Sequence, residues 1–241
     1  MQSKADRYFY SVTSGFMLVL MLIGFKSFFL AGHKAGGRPI PESILGYVLV
    51  HGIALSLWVV LFFAQSVLIA AKNRKLHMKL GWITAAVAVI IAVTGPLVAV
   101  AAPRLRPSSH HFGMTYAQFI LPMFVEIGAF SVFVLLGIAY RKRAAIHRSM
   151  MLLATLSVIS GATARTDFIV TVFGKDNGWV GLFGPLLVLG GAILLVRTMM
   201  TRSLDRWYAA GYASLALVYI TAMHVAVGPT WTQVAERIAG G

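Results

Sequence analysis

The sequence predicts an all-α integral membrane protein, a single domain built as a bundle of seven transmembrane helices, and three observations carry that expectation. Hydrophobic residues make up 59% of the 241 and charged residues only 12%, where soluble domains carry about a quarter charged, and mean hydropathy is +0.81. Seven apolar runs each approach the roughly 20 residues that cross a hydrocarbon core about 30 Å thick. Basic residues collect in alternate connections between the runs, the pattern of a chain oriented by a membrane.

The runs read as 8 to 30, 44 to 71, 80 to 102, 114 to 140, 149 to 173, 178 to 196 and 207 to 227. Unbroken apolar runs of this length form helices, because a backbone in lipid must satisfy its own hydrogen bonds and barrel strands would alternate instead. Helix 1 is too long for the apolar core of a cleaved signal peptide and is followed by no small-residue cleavage site. It is expected to remain as a signal anchor. Gly95-Pro96 is expected to kink helix 3, and Pro122 helix 4. The connections AGHKAGGRPIPES and APRLRPSSHHFG carry turn residues, and GKDNG makes a tight turn between helices 5 and 6. The tail 228 to 241 is short and amphipathic and is expected on the outer surface.

A net charge of +14 raises nucleic acid as a partner, but its placement argues against one. Lys72, Arg74, Lys75 and Lys79 lie between helices 2 and 3; Arg141, Lys142, Arg143 and Arg148 between 4 and 5; Arg197, Arg202 and Arg206 between 6 and 7. The positive-inside rule then puts the N-terminus in the cytoplasm and the C-terminus outside a bacterial cytoplasmic (inner) membrane. Anionic lipid headgroups are the expected partners of these loops. Trp82 and Trp207 at inner helix ends, with Trp179 and Trp231 at outer ones, fit aromatic belts. The absence of cysteine excludes disulfides, thiolate metal sites, iron–sulfur clusters and covalent c-type haem. Any cofactor must rely on His, Met, carboxylates or non-covalent contacts.

KNRKLHMK, Lys72 to Lys79, has a counterpart in RKRAAIHR, Arg141 to Arg148, with Lys72 over Lys142 and His77 over His147, 70 residues apart. This suggests a duplicated hairpin, helices 2 and 3 repeated as 4 and 5, related by an axis along the membrane normal. Convergence on basic inner loops is the alternative. Repeat-related imidazoles facing such an axis approach from opposite sides, which suits bis-imidazole ligation of a flat macrocycle. Lys75, Lys79, Arg143 and Arg148 would then neutralise its propionates. The structural alternative places both rings among the headgroups, binding phosphate.

Charged groups inside hydrocarbon are costly enough to mark function, and Lys26, Glu126, Arg165 and Asp167 stand out. With a rise of about 1.5 Å per residue, Arg165, His51, Lys26 and His224 fall in the outer half, with Glu126 slightly deeper. Arg165 is long enough to reach Glu126 from the neighbouring helix. The functional reading is a proton or substrate pocket of His51, Glu126 and Arg165, in which burial and Arg165 act on the Glu126 charge in opposite senses. The structural reading is an ion pair stitching helices, with Lys26 and Asp167 snorkelling outward. His110-His111, with His33 and His51, make a weaker metal or outer haem signal, since no HExxH pattern accompanies them.

HGIALSLWVVLFFAQSVLIA, RKLHMKLGW and EIGAFSVFVLLGIAYRKRAAIHRSMMLLATLSVISGATAR resemble a widespread group of uncharacterised bacterial polytopic membrane proteins. That pattern has a His early in helix 2, LHRRLGW opening helix 3, an acidic residue in helix 4, HKRLMLLAT opening helix 5 and an Arg later in it. His51, His77, Glu126, His147 and Arg165 occupy those positions, over about half the chain. The group brings no activity with it. More distantly, the chain is similar to the di-haem cytochrome b561 class, whose four-helix core holds haem b through His residues on successive helices. That similarity implies His51, His77 and His147 as cofactor ligands. No His stands in helix 4, where Glu126 is a carboxylate, so the inner pair His77 and His147 is the haem site that the resemblance carries over.

Three functions follow as expectations, and a fourth lacks support. The first is a b-type haem protein passing electrons from a quinol or small reductant to a redox partner. The second is a proton-coupled transporter using His51, Glu126 and Arg165, and the third an accessory subunit of a larger membrane complex. An enzyme acting on lipid lacks a nucleophile and base at a common depth.

Overall fold

The computed structural model describes residues 4–30, 34–35, 38–174 and 176–240. It is an all-α membrane bundle. Among the described residues, six helices are long and apolar enough to cross a membrane: α3 (Glu42–Ala70), α4 (Arg74–Arg104), α5 (Ile120–Ala139), the span Ala144–Thr163, α9 (Gly178–Thr201) and α10 (Arg206–Ala226). The N-terminal segment differs from the predicted continuous helix. It forms α1 (Lys4–Gly24), whose apolar part is the shorter Tyr8–Gly24, then α2 (Lys26–Leu30). Phe25 interrupts the regular run, although its N–H still bonds the Met21 carbonyl at 3.0 Å. Two two-residue hairpins cap one end, β1 (Lys34–Ala35) with β2 (Arg38–Pro39) and β3 (His110–His111) with β4 (Met114–Thr115), both antiparallel.

The predicted fifth helix is in pieces: α6 (Ala144–Ser157), α7 (Ser160–Thr163) and α8 (Asp167–Phe173). Helix propensity within SVISGATART is low, with Ser, Gly and β-branched residues in succession. The predicted fourth helix starts later than expected, at Ile120, because Met114 and Thr115 pair as a strand. Pro122 therefore lies in the first turn of α5, where its missing N–H leaves no bond unmade. α4 runs through Pro96 without ending. The tail forms α11 (Pro229–Gly240), docked on the connection before α5: Trp231 Nε1 donates to the Gln118 carbonyl at 3.1 Å, Gln118 Nε2 to Thr232 Oγ1 at 2.7 Å, and Arg104 Nε to the Ile238 carbonyl at 2.9 Å.

Helices α3, α4, α5 and α6 pack in sequence order around a shared interior, with α3 returning to α6. That closure is made by Trp58 on α3, fully buried, whose Nε1 donates to Thr155 Oγ1 on α6 at 3.1 Å and whose ring meets Phe130 on α5 edge-on at 4.8 Å. The span from α6 into α7 is the central one, 61% buried against 28% for α10. It packs against α10 and α9, where Tyr219 donates to the Ser157 carbonyl at 2.7 Å and stacks on Phe183 at 4.2 Å. Outward, Val12, Trp82, Val93, Leu135 and Leu217 are exposed. An apolar exterior this extensive belongs in lipid. The turns α3–α4 and α5–α6 lie at one end with Arg74, Lys75, Arg141 and Arg143 exposed; this is the basic end of the bundle.

Candidate functional site

Two local devices bring an imidazole to the start of α4 and of α6 at the basic end. Lys72, with φ 62°, closes α3 in a left-handed turn, and the Asn73 side chain accepts the Leu76 N–H at 3.1 Å, an N-cap that starts α4 one turn before His77. On the other hairpin, α6 starts at Ala144 and places His147 in its first turn. The His147 Nδ1–H donates to the Gly137 carbonyl at 2.8 Å. Gly137 permits that approach, since a Cβ there would lie 2.6 Å from Met151 Sδ. With Nδ1 committed to a carbonyl, Nε2 of His147 carries the free lone pair.

The His77 and His147 rings lie close together. Their ring centres are 6.3 Å apart and their planes cross at 88°. His77 Nδ1 is buried with no hydrogen-bond partner, and the backbone of Gln65 lies against the ring. Two imidazoles on one iron would have ring centres about 6 Å apart, taking a metal–nitrogen distance of about 2.0–2.1 Å from each side. The spacing of the ring centres would thus suit His77 and His147 holding one haem iron between them. No group of three or more His, Cys, Asp or Glu residues could hold a metal ion among the described residues, so a bare tetrahedral ion would lack protein ligands here. A macrocycle brings its own four equatorial nitrogens and asks the protein for only two.

Beside this pair lies a charged cluster that sequence reasoning missed. Arg197 on α9, counted from the sequence among the loop cations, is 4% exposed, and its Nε meets Asp205 Oδ2 at 3.0 Å. Asp205 also accepts Ser149 Oγ at 3.1 Å and the Tyr208 N–H at 3.2 Å, capping α10. Arg197 lies over the Phe9 and Tyr10 rings, and Arg148 over Tyr10 at 5.5 Å. Ser149 is two residues from His147, so this cluster anchors the first turns of α6. The one legible signal was Asp205 itself, an acid followed by an apolar helix start.

At the opposite end, Glu126 on α5 accepts a hydrogen bond from Ser160 Oγ at the start of α7. Arg165 stands in the turn before α8, exposed, with Nη1 donating to the Gly161 carbonyl at 2.6 Å and its guanidinium 5.1 Å over the Phe25 ring. The charges of Glu126 and Arg165 thus act on each other through space, without the direct ion pair of the structural reading. Tyr116, outside the spans, joins this group; burial pushes its phenol up and Arg165 opposes. Lys26 and Asp167 form an open pair at 3.8 Å.

His51 lies apart from the imidazole pair and reaches Gly95, on which Ile127 beside Glu126 also packs. About 14 residues of α3 separate it from Gln65, roughly 20 Å of helix. Its Nδ1 is 3.0 Å from Thr94 Oγ1, whose own proton goes to the Ile90 carbonyl at 2.7 Å. His51 is therefore the donor in that bond, and its Nε2 is the acceptor nitrogen. His111 rests on Tyr116 at 4.6 Å and reaches Ser109 at 3.2 Å, while His224 Nδ1 donates back to the Ile220 carbonyl. His33 lies outside the described residues.

Compared with protein-family models, curated proteins and solved structures, the chain finds no match. The functional reading therefore rests on the geometry.

Proposed function

We propose that the chain is a multi-pass protein of the bacterial cytoplasmic membrane, crossing seven times with its N-terminus and basic end in the cytoplasm, that holds b-type haem between His77 and His147 for electron transfer. The observation that carries this reading is the imidazole pair, 6.3 Å between ring centres with planes at 88°. Haem bound there would take up and release one electron by cycling between ferric and ferrous iron. His147 is oriented for it by the Gly137 carbonyl, and second-shell bonds of this kind raise ligand basicity. Lys75, Lys79 and Arg143, exposed at the same end, together with Arg148, supply positive charge for propionates. The topology follows from the basic loops, and the same loops suit anionic headgroups. A quinol or another subunit of a membrane complex would exchange electrons with the site.

The test is an absorption spectrum of the detergent-purified protein, oxidised and dithionite-reduced, with a pyridine haemochromogen assay for haem per chain. Stoichiometric haem b, lost in both His77→Ala and His147→Ala but kept in His51→Ala, is the expected result. Folded, colourless protein from haem-replete cells overturns the reading.

A further inference from the structure

A helix broken at membrane depth is tolerated only where protein or a polar cavity receives the freed backbone groups. Between α6 and α8 the chain breaks twice, at Val158–Ile159 and at Ala164–Thr166, and several of the freed groups find partners. The Ile159 N–H turns back to the Leu156 carbonyl at 3.3 Å, and the Ser157 carbonyl takes the Tyr219 hydroxyl. The Ser160 carbonyl takes the Ala164 N–H at 2.8 Å, and the Gly161 carbonyl takes Arg165. From the other side, Gly24 of α1 presses on α7 so closely that a Cβ would lie 2.8 Å from the Ala162 Cα. This is a built break rather than a frayed end, and Ser160, which opens α7 within it, is the residue bonded to Glu126.

We propose that Glu126 and Ser160 at this break form a proton-exchange site, through which Glu126 takes up and releases a proton toward the end of the bundle that carries Arg165 and Tyr116. The inference is independent of the haem reading. An ionised carboxylate accepts about four hydrogen bonds, and Ser160 supplies one. A structural ion pair would have Arg165 closed on the carboxyl, and Arg165 is bonded to the Gly161 carbonyl instead. The site is thus neither the full shell of a permanent anion nor a stitched ion pair. Around Glu126, α7 contributes Ser160, the following turn Arg165, and α10 the Tyr219 phenol. On the α4 side Gly95 packs on Ile127 without charge, and His51 of α3 touches that same glycine position. The balanced step is a carboxylic acid giving a carboxylate and a proton, the proton leaving to water at the exposed Arg165. Arg165 then exchanges the Gly161 carbonyl for the new anion.

The experiment is difference infrared spectroscopy of the protein reconstituted in lipid, titrated over about pH 5 to 9 in H2O and D2O. A protonated-carboxyl band is expected that titrates in this range, shifts in D2O and vanishes in Glu126→Gln, a variant that keeps a partner for Ser160. Ser160→Ala should shift the band, and Arg165→Gln should move its midpoint by about one pH unit. Should Glu126→Gln fail to fold, judged by circular dichroism, Glu126→Asp must move the band instead. A Glu126 carboxyl that is unaffected by pH and D2O overturns the proposal. The band should persist unchanged in His77→Ala, so loss of haem and loss of proton exchange are separate outcomes.

Discussion

At the basic end Arg197 and Asp205 lie 3.0 Å apart with side chains 5% and 8% exposed, whereas at the opposite end Lys26 and Asp167 lie 3.8 Å apart at 60% and 92%. Both are pairs of a basic side chain with an aspartate, close in sequence or space, yet they do different work. Asp205 joins three elements, holding α9 through Arg197, α6 through Ser149 and the start of α10 through the Tyr208 N–H. Lys26–Asp167 joins surface side chains alone. Glu126 and Arg165 stand between these extremes, a carboxyl inside the bundle whose cation remains exposed and bonded elsewhere. Charge at the basic end is a fixed part of the packing, and charge at the other end is left room to change.

The sharpest break in that comparison is Asp205→Ala. Removing the carboxylate from a buried guanidinium costs about 3–5 kcal/mol, and the α10 cap is lost with it, so the thermal unfolding midpoint in detergent should fall further than for any variant at the opposite end. An unchanged midpoint would mean that the cluster does not organise the basic end. Gly137→Ala comes next. The added methyl must displace Met151, an overpacking cost of about 1–3 kcal/mol, and it moves the carbonyl that orients His147, so haem retention should drop along with stability. Thr94→Val removes the acceptor of His51 and costs about 1 kcal/mol with no change in the haem spectrum; a spectral shift would show that the imidazole at this depth also touches the cofactor. Smallest is Lys26→Ala, expected to alter stability by under about 0.5 kcal/mol, measured on the same melts.

Particular residues show where legibility ended. His77 and His147 were readable as a pair because their register relative to the basic clusters is a one-dimensional property. Glu126 and Arg165 were readable as costly charges in apolar runs, but Ser160 was not readable as the Glu126 partner. A serine among SGAT looks like any small helix-packing residue until the helix is seen to break there. Arg197 was misassigned for the opposite reason. Its position near a helix end resembles that of any basic loop residue, and only the return of α10 brings Asp205 over it. The tail was legible as amphipathic, but the partner for its apolar face, the connection before α5, was not.

What the sequence determined by itself was the class of fold, the helical content, most span positions and the segregation of basic residues, because these depend on composition and run length along one chain. Tertiary structure alone decided that the two imidazole rings come within 6.3 Å of each other, that the central helix breaks beside Glu126, and that Arg197 is buried. Each of those depends on the rotation of one helix about its axis relative to another. Apolar residues all round a membrane helix leave that rotation unmarked, so it is set by close packing at Gly24, Gly137 and Trp58 and not by any pattern along the chain.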